Sequence, residues 1–330
     1  MVPNWNDIQD FSWHGILQDR LCHAGLSDYQ AENVMNSNTG VGGAFVPSGG
    51  WSRFLALYTT APTSDAGTGG TEVVSGAGTG YQRVQFAGTV TCSGSFTTSS
   101  TSITLNGAAA AWITSLGPNG SGVNIYDITA GAQIGVASGI AGTTIGISGT
   151  SAHNSSTSAD VLQLSAFIPS AASSGTEPLT APASAYNNAA ISMYASAVPG
   201  SWGTLTSWGV YDASGAGNFI TWDYLGSNKW IPFSCTSATP GVLTCDSTAD
   251  APANGSNVVV TQKFGGTLPT TGGSWAGLLT TANLASNTFT AGVNTTGVGG
   301  GQFRQVQSLT IGSGIGPISF AASALTISVA

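Results

Sequence analysis

Two aspartates, Asp212 and Asp223, flank the turn of a predicted hairpin over 205–225. A pair of carboxylates about 5–10 Å apart is the arrangement that cleaves a glycosidic bond, one protonating the leaving oxygen while the other attacks or activates water. The competing reading makes Asp212 a turn-flanking residue and Asp223 a solvated strand end, and it is preferred. The histidines His14, His23 and His153 stand far apart, two near the N-terminus and one in the polar loop 152–158. A hydrolase triad or a metal site needs one of them beside a partner, so they read as surface or packing residues. Glu32, Glu72 and Glu177, the only glutamates, fall in segments read as loop or arm. No GxSxG, GxGxxG or GxxxxGK motif occurs. No catalytic, cofactor-binding or metal residue is therefore assigned, and the expectation is a protein without cofactor that is not an enzyme.

The aromatic residues offer a different chemistry. Trp202, Trp208, Trp222 and Trp230 cluster around the same hairpin, and sugar rings stack on exposed aromatic faces. Trp208 and Trp222, however, lie within apolar strands, which favours packing inside the fold. The cysteines Cys22, Cys92, Cys235 and Cys245 form no CxxC pair and give no zinc signal. Cys235 and Cys245 are spaced for a bridge across a hairpin, with free thiols the equal alternative.

The elements that must position these residues follow from composition and periodicity. Charged residues make up 6% of the 330 residues, and six Lys+Arg against 14 Asp+Glu give a net charge of −8. Nucleic-acid binding is excluded, because phosphate neutralisation needs clustered basic side chains. With 41% hydrophobic and 9% aromatic residues the chain is not an ordinary disordered one. Its 47 glycines, with abundant Ser and Thr, suit short strands and tight turns. Apolar residues cluster in RFLALY (53–58), a largely buried strand, and alternate in YQRVQF (81–86), AAISMY (189–194), 205–212, 219–225 and ALTISV (324–329). No apolar run reaches the roughly 18–20 residues of a membrane helix, and no membrane insertion is expected. Residues 1–20 carry Asp7, Asp10 and Asp19 without a continuous apolar stretch, so no secretory signal is expected. The sequons at Asn119, Asn154, Asn254 and Asn294 mark polar loops predicted to be exposed.

The succession FLALYTTAPT, TEV, YQRVQF, SWGTLTSWGVYDASGAGNF and ISFAASALTISV resembles a family of small tailed-phage virion proteins, described as tail-fibre, minor tail or head-decoration proteins. The resemblance implies a compact antiparallel β-sandwich with a structural role and no catalysis. The matched pieces cover roughly a third of the chain. In that family the YQRVQF-like strand is followed shortly by the AAISM-like strand, whereas about a hundred residues intervene here.

The expected architecture is all-β: a jelly-roll-like antiparallel sandwich core over 43–86, 166–235 and 307–330, two small inserted β domains at 87–165 and 236–306, and a partly helical N-terminal arm over 1–42. The arm carries Trp5, Phe11, Trp13, Ile16, Leu17 and Leu21, more apolar surface than a short helix buries against itself. It is expected to make contacts within a homotrimer or with other virion proteins. The expected function is a non-enzymatic tail-fibre, collar or head-decoration subunit, located in a virion assembled in the host cytoplasm. The rival is a carbohydrate-binding adhesin that holds a host surface glycan at the Trp-rich hairpin.

Overall fold

The computed structural model describes residues 52–62, 69–109, 111–117, 119–169, 183–226, 229, 231–262 and 278–329. The expected arm over 1–42 lies outside them. The fold is all-β and its strands pair antiparallel, as the alternation predicts. Among the described residues no helix is long and apolar enough to cross a membrane.

Strand β1 (Arg53–Thr60) organises the larger sheet. Its apolar residues occupy both faces of the pleat, and both are buried: Leu55 and Leu57 enter the main core, while Ala56 and Tyr58 join a smaller cluster with Tyr211. One edge of β1 pairs with β14 (Ser207–Tyr211), which pairs in turn with β15 (Phe219–Tyr224), with Trp208 opposite Asp223 and Gly209 opposite Trp222. This is the hairpin expected at 205–225. The other edge takes β2 (Thr71–Glu72) and β3 (Val84–Thr91). From β3 the sheet continues through β9 (Val161–Ser165), β6 (Asn124–Asp127), β7 (Ala132–Ala141) and β8 (Thr144–Ile147) to β4 (Ser102–Thr104), ten strands in all.

The boundary drawn at residue 87 falls inside β3, whose Ala87–Thr91 stretch pairs with β9. The physical reason is continuity of the ladder: β3 is eight residues long, and its second half donates to a strand that follows about seventy residues later. Smaller sheets close the core. One comprises β10 (Phe167–Pro169), β11 (Ala183–Asn187) and β25 (Thr326–Val329), and another comprises β5 (Leu116–Gly117), β12 (Ala190–Tyr194) and β24 (Ile318–Phe320). Strand β13 (Gly203–Leu205) pairs with β23 (Leu309–Ile311), and a short helix α1 (Ala111–Ser115) precedes β5. Phe86, Ile113, Leu116, Phe167, Ile191 and Trp208 meet in this core, which joins residues from all of these sheets.

A second sheet has its own core. Its order is β19 (Leu279–Thr280), β18 (Asn257–Gln262), β22 (Gly300–Val306), β16 (Ile231–Cys235), β17 (Leu243–Cys245), β21 (Thr288–Thr290) and β20 (Ala282–Ala285). Residues 231–235, grouped with the sandwich core on sequence, pair with β17 and β22 of this sheet. The reason lies in Ile231 and Phe233, which point into the cluster of Leu243, Val258, Phe289 and Phe303.

Candidate functional site

The two sheets meet at Gly226, which directly follows the hairpin end at Leu225. Gly226 bridges to Val306 on β22, and the Gln307 amide completes the seam by donating to the Leu225 carbonyl at 2.9 Å, while Leu225 N–H stays within the first unit, donating to the Thr206 carbonyl at 2.9 Å. Gly226 has φ +137°, and a Cβ there would lie 2.5 Å from the Gln305 carbonyl oxygen and 2.8 Å from the Val306 Cα. Only glycine fits such an approach of backbone to backbone. Gly226→Ala should therefore cost about 1–3 kcal/mol from backbone strain alone, with the clash adding to it. Thermal unfolding of the variant should show a lowered midpoint; an unchanged midpoint would mean that the seam relaxes without cost.

The seam brings Arg304 to Asp223. Neighbouring β22 residues are both buried but point apart: Phe303 enters the second core, while the Arg304 guanidinium ion-pairs with Asp223 and reaches the Tyr224 carbonyl at 3.4 Å. Asp223 also caps its own strand, accepting from Tyr224 N–H at 2.7 Å. Its side chain keeps 44% of its surface exposed, whereas that of Arg304 keeps 6%. This pair forms one wall of a cleft of about 410 Å³, within the roughly 300–1,000 Å³ of small-molecule sites. Buried Leu57, Leu205, Trp208 and Leu325 lie beneath the cleft, and the half-buried Leu225 and Ile318 give it apolar surface. Tyr224 and Phe320 add half-buried aromatic surface, and Gln307, Ser308, Ser319 and Ser323 bring polar side chains.

Asp212 is not part of this site. It is buried at the far end of the hairpin, where its carboxylate accepts from Asn218 N–H at 2.6 Å and from Asn218 Nδ2 at 2.7 Å, closing the 213–217 turn. Asp223 faces Trp208, four residues before Asp212 on the partner strand, so the two carboxylates stand roughly 13 Å apart at about 3.3 Å per residue. That exceeds the spacing of a glycosidase pair. Asp212 instead opposes the desolvation of the fully buried Arg53, whose guanidinium burial brings down to about 10.

The tryptophans separate. Trp202 is buried, donates from Nε1 to the Thr79 carbonyl at 2.8 Å, and meets Tyr81 edge-on at 5.3 Å. Trp208 is 4% exposed. Trp222 lies half-buried on the other face of β15, edge-on to Tyr224 at 5.1 Å, and Trp230 falls outside the described residues. An open stacking platform of several tryptophans is thus absent among the described residues.

His153 is not isolated, as its sequence neighbours suggested. Its Nε2 lies 3.1 Å from Asp127 Oδ2, and Asp160 interacts with the same aspartate; both aspartates are fully buried. Burial by itself would raise the Asp160 carboxyl, but hydrogen bonds from the Thr157 hydroxyl and from the Ser156 and Thr157 amides hold it below the usual carboxylate range. Between Arg83 and Glu177 these two aspartates are the only charged side chains in the sequence, and sequence reading overlooked that the fold would bring them together. Among the described residues no three His, Cys, Asp or Glu side chains gather as metal ligands.

Glu72 sits on β2 rather than in a free loop, ion-paired to Arg83 at 2.8 Å and accepting from the Tyr81 hydroxyl at 3.0 Å; Arg83 in turn lies 3.3 Å over the Tyr211 ring. His14, His23, Glu32, Glu177 and Cys22 fall outside the described residues. Cys92, Cys235 and Cys245 are free thiols. In the β16–β17 ladder Cys245 stands opposite Phe233 and Cys235 opposite Leu243, so the two sulfurs do not face each other. Burial pushes the Cys92 thiol up to about 12 and the Cys245 thiol up to about 11, with nearby aspartates adding to both. Asn119, Asn154 and Asn254 are exposed as predicted, while Asn294 is half-buried.

Comparison of the chain with protein-family models, with curated proteins and with solved structures finds no match.

Proposed function

We propose that the chain is a non-enzymatic structural component of a tailed-phage virion, a tail-fibre, collar or head-decoration subunit that acts by self-assembly and by attachment to other virion proteins. The observation that supports this reading is where the segments carrying the resemblance lie. FLALYTT falls on β1, TEV on β2 and its continuation, YQRVQF leads into β3, SWGTLTSWGVY spans β13 and β14, and NF opens β15. Four of these pieces, scattered over more than 150 positions of sequence, form neighbouring strands of a single sheet in the order β15, β14, β1, β3, while β13 and the ISFAASALTISV strands β24 and β25 lie in the smaller sheets that close the same core. A shared structural core has to be contiguous in space in this way, because a sheet is stabilised by its cross-strand pairs.

Self-assembly as a homotrimer through the arm over 1–42 is part of the proposal, since closed cyclic symmetry satisfies an apolar patch without forming filaments. Immunogold electron microscopy of purified particles with an antibody to this chain, together with light scattering on the full chain, tests it. Labelled particles and a mass about three times that of the monomer are expected. Particles that carry no label would overturn the virion assignment, and a monomer in solution would overturn the trimer.

A further inference from the structure

We infer that the cleft between the two sheets, walled by Arg304 and Asp223, binds a neutral pyranose unit of a polysaccharide. This function goes beyond the structural role proposed above, and it sits at a different place from the exposed tryptophan faces that the sequence suggested.

The lining selects the chemistry. A pyranose ring presents an apolar C–H face and a rim of hydroxyl groups, each both donor and acceptor. The cleft offers the complement of both. The half-buried Leu225 and Ile318 give it apolar surface, and Phe320 on β24 adds a half-buried aromatic side chain. Beside them stands a donor fork next to an acceptor carboxylate, the Arg304–Asp223 pair. The exposed side of the Asp223 carboxylate, held in place by Arg304, offers a sugar hydroxyl a charge-assisted acceptor, and the exposed Ser308, Ser319 and Ser323 bring hydroxyls that both donate and accept.

Other ligand classes fit less well. A phosphate or uronate would have to displace Asp223 from Arg304, and it would approach a chain of net charge −8. A fatty chain would leave the largely buried Arg304 and its partner desolvated without new hydrogen bonds, which is costly. Arg304 comes from the second sheet, whereas Asp223 and Phe320 come from the elements of the first core. A sugar in the cleft would therefore touch both units, and its binding would strengthen the seam that Gly226 makes possible.

The test uses the full chain with maltose, cellobiose and N,N′-diacetylchitobiose as neutral probes, digalacturonate as the acidic control and octanoate as the apolar control, read by saturation-transfer NMR and by isothermal titration. At least one neutral disaccharide should bind at millimolar concentration or better. Phe320→Ala should weaken it about tenfold, equivalent to about 1.4 kcal/mol. Ser319→Trp, an exposed position whose new side chain would fill the cleft, should abolish binding while leaving the circular dichroism unchanged. Val74→Ala, at an exposed position outside the cleft, should leave it intact. The proposal is overturned by no neutral binding up to about 10 mM, a level weaker than any affinity worth about 3 kcal/mol. It is equally overturned by tighter binding of digalacturonate or octanoate, or by binding that is unchanged in both Phe320→Ala and Ser319→Trp.

Discussion

Phe303→Ala should destabilise the seven-stranded sheet by about 3–5 kcal/mol, the usual cost of emptying a fully buried aromatic site. Phe303 has no exposed surface and meets Phe289 edge-on at 5.0 Å and Phe233 at 6.3 Å. The three rings come from β22, β21 and β16, so one truncation loosens the contact of β22 with its neighbour β16 and with β21 beyond it in the same sheet. Because the core around Phe303 is separate from the main one, the loss should appear as an earlier unfolding transition for this unit in a urea titration, with the larger core unfolding near its original midpoint. A single transition displaced as a whole would mean that the two cores unfold together. A loss under about 1 kcal/mol would mean that the site collapses around the missing ring.

Asp160→Asn should cost about 2–3 kcal/mol, because a buried carboxylate that accepts from the Ser156 amide, the Thr157 amide and the Thr157 hydroxyl is replaced by a side chain with an N–H group facing donors. The pH dependence separates this cause from simple repacking. Asp160 is held below its ordinary value in the folded protein. A lowered folded-state value contributes stability that is fully present above the unfolded carboxylate range, near 3.9, and is lost as pH falls through the folded value. The gap in stability between the native protein and Asp160→Asn should thus stay constant from pH 7 to about pH 5 and narrow only below about pH 4. Denaturant titrations at a series of pH values check this. A gap that widens on acidification would show that Asp160 is not the ionised acceptor in the folded state.

Strand positions were legible because their signal is local. Alternation over six or seven residues marks 189–194, 219–225 and 324–329 as strands, and each holds a strand in the structure. The turn-rich 213–218 segment between two apolar stretches announces the β14–β15 hairpin in the same way. The ten-residue β7 escaped notice for the converse reason. Its sequence AQIGVASGIA interrupts the alternation with Gly and Ala, and its burial pattern is irregular, with a register shift against β8. The all-β class needs no more than these local rules, since side chains on a pleat face opposite ways by geometry.

Which strands lie side by side is a different matter, and tertiary structure alone decided it. Many segments of this chain are short, rich in Gly, Ser and Thr, and nearly interchangeable in local preference, so nothing within β3 specifies β9 as its neighbour. Register and partner are fixed by which faces can be buried together, a property of the whole core. The same holds for the residues with chemistry. Arg304 and Asp223 are 81 positions apart, and they meet because Gly226 lets β22 approach the end of β15. His153 and Asp127 are 26 positions apart, and they meet because the 151–160 loop folds over the end of β6. Sequence spacing carries Asp212 and Asp223 in one hairpin and so suggests a pair, but the antiparallel ladder places one at the turn and the other about four residues down the strand, where the second sheet supplies its partner.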